Sequence, residues 1–406
     1  MVNGDNDRTA QAPASGQAAA QGEEARRMLA AGNPVGAHAL LAEAVKSAPT
    51  DISLWLGLAA VLRELNRAAE EMAALDKVLT LEPRHIGALL QKASLLETHG
   101  ESRKAAVLYR TALQAIPPGA QPAPRTVPIL EHARNFVEAN NRALETFLEE
   151  RLGPLRANFA DQPQRRFDRC LATLLKKERI YRQQPTFLYF PQLPTIEFYE
   201  RDEFPWLAAI EAATDDIRAE LVNVLADGPT MLEPYVSHGD GMPLDQWREL
   251  NNSRRWGVYF LWKAGTPIAE HIARCPRTVK ALEGWPRWDV PGYGPSAVFS
   301  ILDAKSHIPG HTGVHNTRLT VHLPLIIPPG CTFRVGGERR TWELGKALVF
   351  DDSIEHEVWN DSDVPRAVLI FDIWSPYLSP AERALVSAVT TGVGEYYGAQ
   401  ASESPG

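Results

Sequence analysis

The chain has only three cysteines in 406 residues, Cys170, Cys275 and Cys331, scattered and odd in number. Neither a disulfide framework nor a CxxC pair for zinc is available from them, and a reducing cytoplasm is the expected setting. No run of eighteen or more apolar residues occurs, so no membrane-spanning helix is expected. The first twenty residues, MVNGDNDRTAQAPASGQAAA, bring acids and small polar residues where an export signal needs a basic end and an apolar core, and no export is expected. Positive charge is not in excess either. Lys and Arg number 42 against 50 Asp and Glu, a net charge of -8, which argues against nucleic acid as a partner.

What is present is enough apolar sequence, 44% with 23% charged, for two or three globular domains. Residues 1–17 read as a disordered tail. A repeat follows: Pro49, Pro83 and Pro117 stand 34 residues apart, each after an amphipathic stretch (ALLAEAVKSAP, AALDKVLTLEP, AVLYRTALQAIP). That is the tetratricopeptide period. Superposing the windows puts Ala37 with Ala105, Leu41 with Leu75 and Tyr109, and Ala44 with Val78 and Ala112. Trp55, Leu58, Ala59 and Leu62 form a first-helix face answered by Leu89, Ala93 and Leu96, and Gly100 marks a helix-to-helix turn. Repeats are therefore expected over 18–117. A Pro-rich break and further helices, extending to about Lys177, form a connector over 118–185, and one helix is predicted over roughly 206–225.

Beyond Asn251 the pattern becomes short strands, WGVYFLW, SAVFSIL, RLTVHLPLII, ALVFDD and AVLIFDIW, separated by Gly and Pro. Such spacing predicts an antiparallel barrel or sandwich within a domain over 186–395, closed by a helix over 380–393. A tail follows over 396–406. Five of the eleven histidines lie between His307 and His356. An iron site at a barrel end takes one imidazole from a loop or strand start and a second from a later, facing strand, with open positions left for a cosubstrate and O2. It ordinarily adds a carboxylate two residues after the first His, but this chain reads His311-Thr312-Gly313. From the residues alone, hydrogen-bonded structural histidines or a zinc site are open alternatives.

HTGVHNTRLTVHLPLIIPPG, TWELGKALVFDDSIEHEVWND and PRAVLIFDIWSPYL resemble the aspartyl/asparaginyl β-hydroxylase family of iron and 2-oxoglutarate dependent oxygenases, over about residues 185–390. The resemblance implies a double-stranded β-helix (jelly-roll) oxygenase domain after the helical repeats, a multidomain α + β chain. It implies His311 and His356 as the Fe(II) ligands, with glycine standing in the family, as at Gly313, where the carboxylate would be. It also implies Arg366, Ser300 and His322 as contacts to 2-oxoglutarate; a guanidinium forks onto a carboxylate in a way lysine cannot reproduce. Arg318 is a candidate for binding the substrate's acidic side chain, or a brace for Asp351 or Asp352. Animal members have a second Arg where this chain has Thr320. His315 has no assigned ligand role.

The expected activity is hydroxylation of the β-carbon of an Asp or Asn residue, or a related acid, in a peptide or protein presented by the concave face of the repeats. Plain dimerisation is the rival use of the repeats. The alternatives for the whole chain are a hydroxylase of a lipid or small molecule, and a repeat scaffold whose barrel has lost catalysis.

Overall fold

Small residues recurring every 34 positions let helices approach closely, and the computed structural model, which describes residues 12–239, 241 and 245–398, realises this in the first of two compact units, divided between Asp168 and Arg169. Helices α1 (Ala12–Ala30) to α6 pair as hairpins: α1 with α2 (Pro34–Ser47), α3 (Ile52–Glu64) with α4 (Ala68–Leu81), and α5 (Ile86–Thr98) with α6 (Ser102–Gln114). The long α7 (Val127–Ala157) packs on α6. The columns Leu41, Leu75, Tyr109 and Ala44, Val78, Ala112 are all buried. Each hairpin turns through a left-handed residue at one period: Gly32 (φ 76), Asn66 (φ 57) and Gly100 (φ 77). Glycine and asparagine tolerate that conformation best.

Two corrections follow for the ends of the chain. The expected tail over 1–17 overlaps α1, which begins at Ala12, and residues 1–11 of that tail lie outside the described residues. The expected tail over 396–406 begins inside the last helix, and 399–406 lie outside the described residues. In the stretch read as a connector, the division between the units falls within α8 (Arg165–Leu174).

The second unit is built on two antiparallel sheets. The larger runs β1 (Glu233–Pro234), β2 (Trp256–Lys263), β4 (Ala297–Leu302), β11 (Arg366–Trp374), β6 (Arg318–Ile326) and β9 (Leu348–Phe350), with β3 (Thr266–Pro267) on β2. The smaller runs β5 (Ser306–His311), β10 (His356–Asn360), β7 (Cys331–Val335) and β8 (Glu338–Arg340). Side chains alternate across a strand, and the larger sheet uses that alternation to face two environments. Phe299, Ile301, Leu319, Val321, Leu323, Leu369, Phe371 and Ile373 share one apolar core with α9 (Leu207–Ala212), α10 (Thr214–Ala226) and the region of α11 (Ala269–Arg274) and α12 (Pro276–Ala281). The intervening Val298, Ser300, Thr320, His322, Arg366 and Ile370 line a cavity together with Ile308, His311, His356 and Val358 of the smaller sheet. The single helix predicted over 206–225 is two, broken at Ala213. A terminal α13 (Pro380–Tyr397) starts at a Ser379–Glu382 capping box and packs Val386 near Trp374 and Leu378.

Candidate active site

The two sequence-predicted histidines meet because β5 and β10 are adjacent strands and His311 stands directly opposite His356 in their register. This corrects the expectation that the second imidazole comes from a facing strand: the rings are cross-strand neighbours within one sheet, the geometry that brings opposed side chains into contact. Their ring centroids are 4.0 Å apart. Nδ1 of His311 donates to the Pro309 carbonyl at 2.7 Å, and Nδ1 of His356 donates to the Ile354 carbonyl at 3.1 Å. Each bond keeps the proton on Nδ1, so Nε2 carries the lone pair a metal ion needs. Burial pushes the His311 pKa down to about 3, helped by its neighbour His356, and burial likewise takes His356 down to about 4. Both rings are neutral at physiological pH, the state that ligates. Among the described residues no group of three His, Cys, Asp or Glu side chains is arranged to hold a metal ion.

The packing also leaves no room for a side chain at residue 313. A Cβ on Gly313 would sit 2.4 Å from Oδ2 and 2.7 Å from Oδ1 of Asp352. The Asp352 carboxylate thus fills the volume beside the histidines that a side chain at 313 would enter. It is fixed there by Arg318 at 3.2 Å and by the Gly313 amide, which donates to the Asp352 carbonyl at 2.7 Å. Arg318 also pairs with Asp372 at 3.2 Å. Of the two partners considered for it in the turn, it braces Asp352. Asp351 instead receives the Gln183 side-chain amide at 2.6 Å and the Ser353 hydroxyl at 2.5 Å.

Arg366, Ser300 and His322 line the same cavity of about 220 Å³ as the histidine pair. They come from β11, β4 and β6, which are neighbours in the larger sheet. Arg366 is 1% exposed, and its Nε and Nη1 have no hydrogen-bond partner among the described residues. Its guanidinium rests on the Trp342 ring, 4.9 Å from the centroid. Burial pulls its pKa down to about 10, which leaves it charged at neutral pH. A buried cation without a carboxylate costs several kcal/mol, so this is a site for an anion. Ser300 Oγ accepts from Trp256 Nε1 at 3.1 Å, which leaves its own proton to donate. His322 is held well below its usual range by burial and then by Arg366, and its Nδ1 is also without a partner among the described residues.

Several residues in or beside the cavity carry no sequence signal that singles them out. Trp256 and Trp342 read as strand or turn aromatics, and Asp352 is one of two acids in FDDS. His315, which had no assigned place, lines the cavity at 1% exposure.

Residues 211–376 match the family model described as aspartyl/asparaginyl beta-hydroxylase. The chain is 35% identical over 200 residues to an ornithine lipid ester-linked acyl 2-hydroxylase of Rhizobium tropici, covering 48% of this chain and 66% of that protein. It is 37% identical over 150 residues to the aspartyl/asparaginyl beta-hydroxylase of Homo sapiens, covering 37% of this chain and 20% of that protein. The chain therefore spans less than two thirds of the length of either relative. Among solved structures, the OM64 TPR domain of Arabidopsis is 16% identical, with a TM-score of 0.28 over 31% of this chain and 98% of that one.

Proposed function

The second unit carries an aspartyl/asparaginyl β-hydroxylase domain at residues 211–376, and from that premise we propose that the chain is an Fe(II)- and 2-oxoglutarate-dependent dioxygenase whose two sheets form a double-stranded β-helix. The observation that carries the reading is Arg366: a buried guanidinium whose Nε and Nη1 have no partner among the described residues, in the same cavity as two neutral imidazoles whose Nδ1 protons are already committed.

His311 and His356 are the residues that would hold the iron, through Nε2. Ferrous iron with bound 2-oxoglutarate supplies the power to oxidise an unactivated C–H bond with O2. Arg366 binds the cosubstrate's far carboxylate by paired N–H···O bonds. Ser300, its oxygen occupied by the Trp256 N–H, donates its hydroxyl proton to the same carboxylate, and His322 adds a third polar contact. Trp342 holds the guanidinium in place by stacking. The apolar lining, Phe260, Val298, Val358 and Ile370 among it, keeps bulk water from the reacting carbon.

The family's name suggests the β-carbon of an Asp or Asn residue in a peptide or protein, presented by the helical hairpins of the first unit, as the substrate. The acyl 2-hydroxylase relative supports a second reading, an aliphatic carbon of a lipid or small molecule, and the apolar cavity wall favours it. The complete set His311, His356, Ser300, His322 and Arg366 in one cavity argues against a non-catalytic scaffold. Three free cysteines support the reducing cytoplasm as the location. Among the described residues no helix is long and apolar enough to cross a membrane.

The test is iron-dependent succinate release from 2-oxoglutarate. His311→Ala and His356→Ala should each abolish it, while Arg366→Ala should raise the 2-oxoglutarate concentration for half-maximal rate by at least about tenfold, as expected for loss of a charge-assisted pair worth roughly 1.5–3 kcal/mol. Equal activity in the three variants refutes the assignment.

A further inference from the structure

One wall of the cavity is untouched by the cosubstrate contacts. Segment 183–190 is laid across the turn that follows His311: the Thr186 amide donates to the Gly313 carbonyl at 3.1 Å, and the Phe187 and Leu188 amides donate to the Val314 carbonyl at 3.1 and 3.0 Å. Asn316 clamps the same segment, its Oδ1 accepting from the Phe190 amide at 2.6 Å and its Nδ2 donating to the Phe190 carbonyl at 2.8 Å. This strap brings the Phe187 ring 5.2 Å from His315 and 6.5 Å from Tyr293, while Trp288 lies 4.9 Å from His315. All four rings line the cavity. His315 Nδ1 is buried without a hydrogen-bond partner among the described residues, and a buried polar nitrogen left unmet is unfavourable. A ligand that supplies the partner recovers that energy.

The charges beside this wall are already matched against an anion. Arg318 is spanned by Asp352 and Asp372, each at 3.2 Å, so two carboxylates face one guanidinium, and Thr320 adds no charge. A substrate carboxylate arriving at Arg318 must compete with ion pairs already made. We infer that the substrate presents an uncharged amide, with its apolar substituent on the Phe187–Trp288–Tyr293 wall and the amide hydrogen-bonded to His315, instead of a side-chain carboxylate paired with Arg318. An amide both donates and accepts, so it meets an imidazole nitrogen in either tautomer, and apolar flat surface in a concave wall selects an aliphatic or aromatic substituent. The inference deepens the hydroxylase reading, on which it rests only for what later happens to the bound group.

Isothermal titration of the full chain with three probes tests it: N-acetylphenylalaninamide, octanamide, and N-acetylaspartamide with a free side-chain carboxylate. At least one uncharged amide should bind at least tenfold more tightly than the aspartyl probe; which one binds assigns the source to a peptide residue or an acyl chain. Phe187→Ala, at a half-exposed ring, should weaken that binding at least fivefold. His315→Leu should weaken it about tenfold and His315→Gln should restore most of it. Tighter binding of the aspartyl probe, no binding of either uncharged amide, or indifference to Phe187→Ala overturns the inference. Succinate release measured without any probe reports separately on the hydroxylase reading, so the two can fail independently.

Discussion

At the residue scale, the most consequential position is one with no side chain. Gly313 stands where a third metal ligand would be looked for, and the space is taken by Asp352, which Arg318 and the Gly313 amide hold in place. Restoring a carboxylate by Gly313→Asp therefore does not rebuild a third ligand. Its Cβ would have to displace an ion-paired carboxylate, an overpacking that costs about 1–3 kcal/mol. A lower melting temperature together with reduced iron content after dialysis is the expected outcome; a variant that binds iron more tightly at unchanged stability contradicts it. The motif HTG is plain in the sequence, but the occupant of the vacated volume is not. Asp352 lies 39 positions away, and nothing local distinguishes it from Asp351, which turns to Gln183 instead.

At the scale of elements, the helical repeats were the most legible part, because every hairpin obeys the same packing rule at the same spacing. One column breaks the rule instructively. Ala37 and Ala105 are matched in the second hairpin by Glu71, 2% exposed and bound by Arg63 through Nε at 2.8 Å and Nη2 at 2.6 Å. Removing one partner of a buried pair strands the other's charge, at a cost of about 3–5 kcal/mol when both are buried and less here, where Arg63 is half exposed. Arg63→Ala should therefore lower the melting temperature clearly. Glu71→Ala, which restores the small residue of the other hairpins, should be neutral or stabilising. Chemical denaturation of both variants decides this, and equal losses would show that the pair itself stabilises the hairpin. The strands were legible in part, along one clear line. All five stretches predicted as strands, WGVYFLW to AVLIFDIW, belong to the larger sheet, where β2, β4, β6 and β11 are almost continuously buried. The smaller sheet carries a weaker signal because SHIPGH, CTFRV and HEVWN alternate buried with part-exposed or exposed positions. That sheet carries both histidines of the proposed metal site.

At the scale of the whole molecule, pH acts on stability through groups buried far from their usual titration range. Desolvation raises the Asp351 carboxyl to about 7, against which the bonds from Ser353 and Gln183 pull downward. Between its ordinary value of 3.8 and about 7, the folded chain holds this proton and the unfolded chain does not. Asp351 therefore contributes stability that is present below pH 3.8 and lost as pH rises through 7. Asp351→Asn removes this slope, so the melting temperature of the variant relative to the parent should climb from pH 4 to pH 7, whatever the constant offset of the substitution. A difference independent of pH would show that the carboxyl titrates normally. What the sequence determined by itself is everything carried by short-range periodicity and local chemistry: the 34-residue hairpins, the strands of the larger sheet, the terminal helix, and a set of residue types suited to an anion and a metal ion. What only the tertiary structure decided is adjacency. Register put His311 against His356 in one sheet, left Arg366 buried with no carboxylate paired to it among the described residues, and gave Arg318 two. Such charge balance depends on which distant strands become neighbours, and no pattern along the chain encodes that until the sheets close.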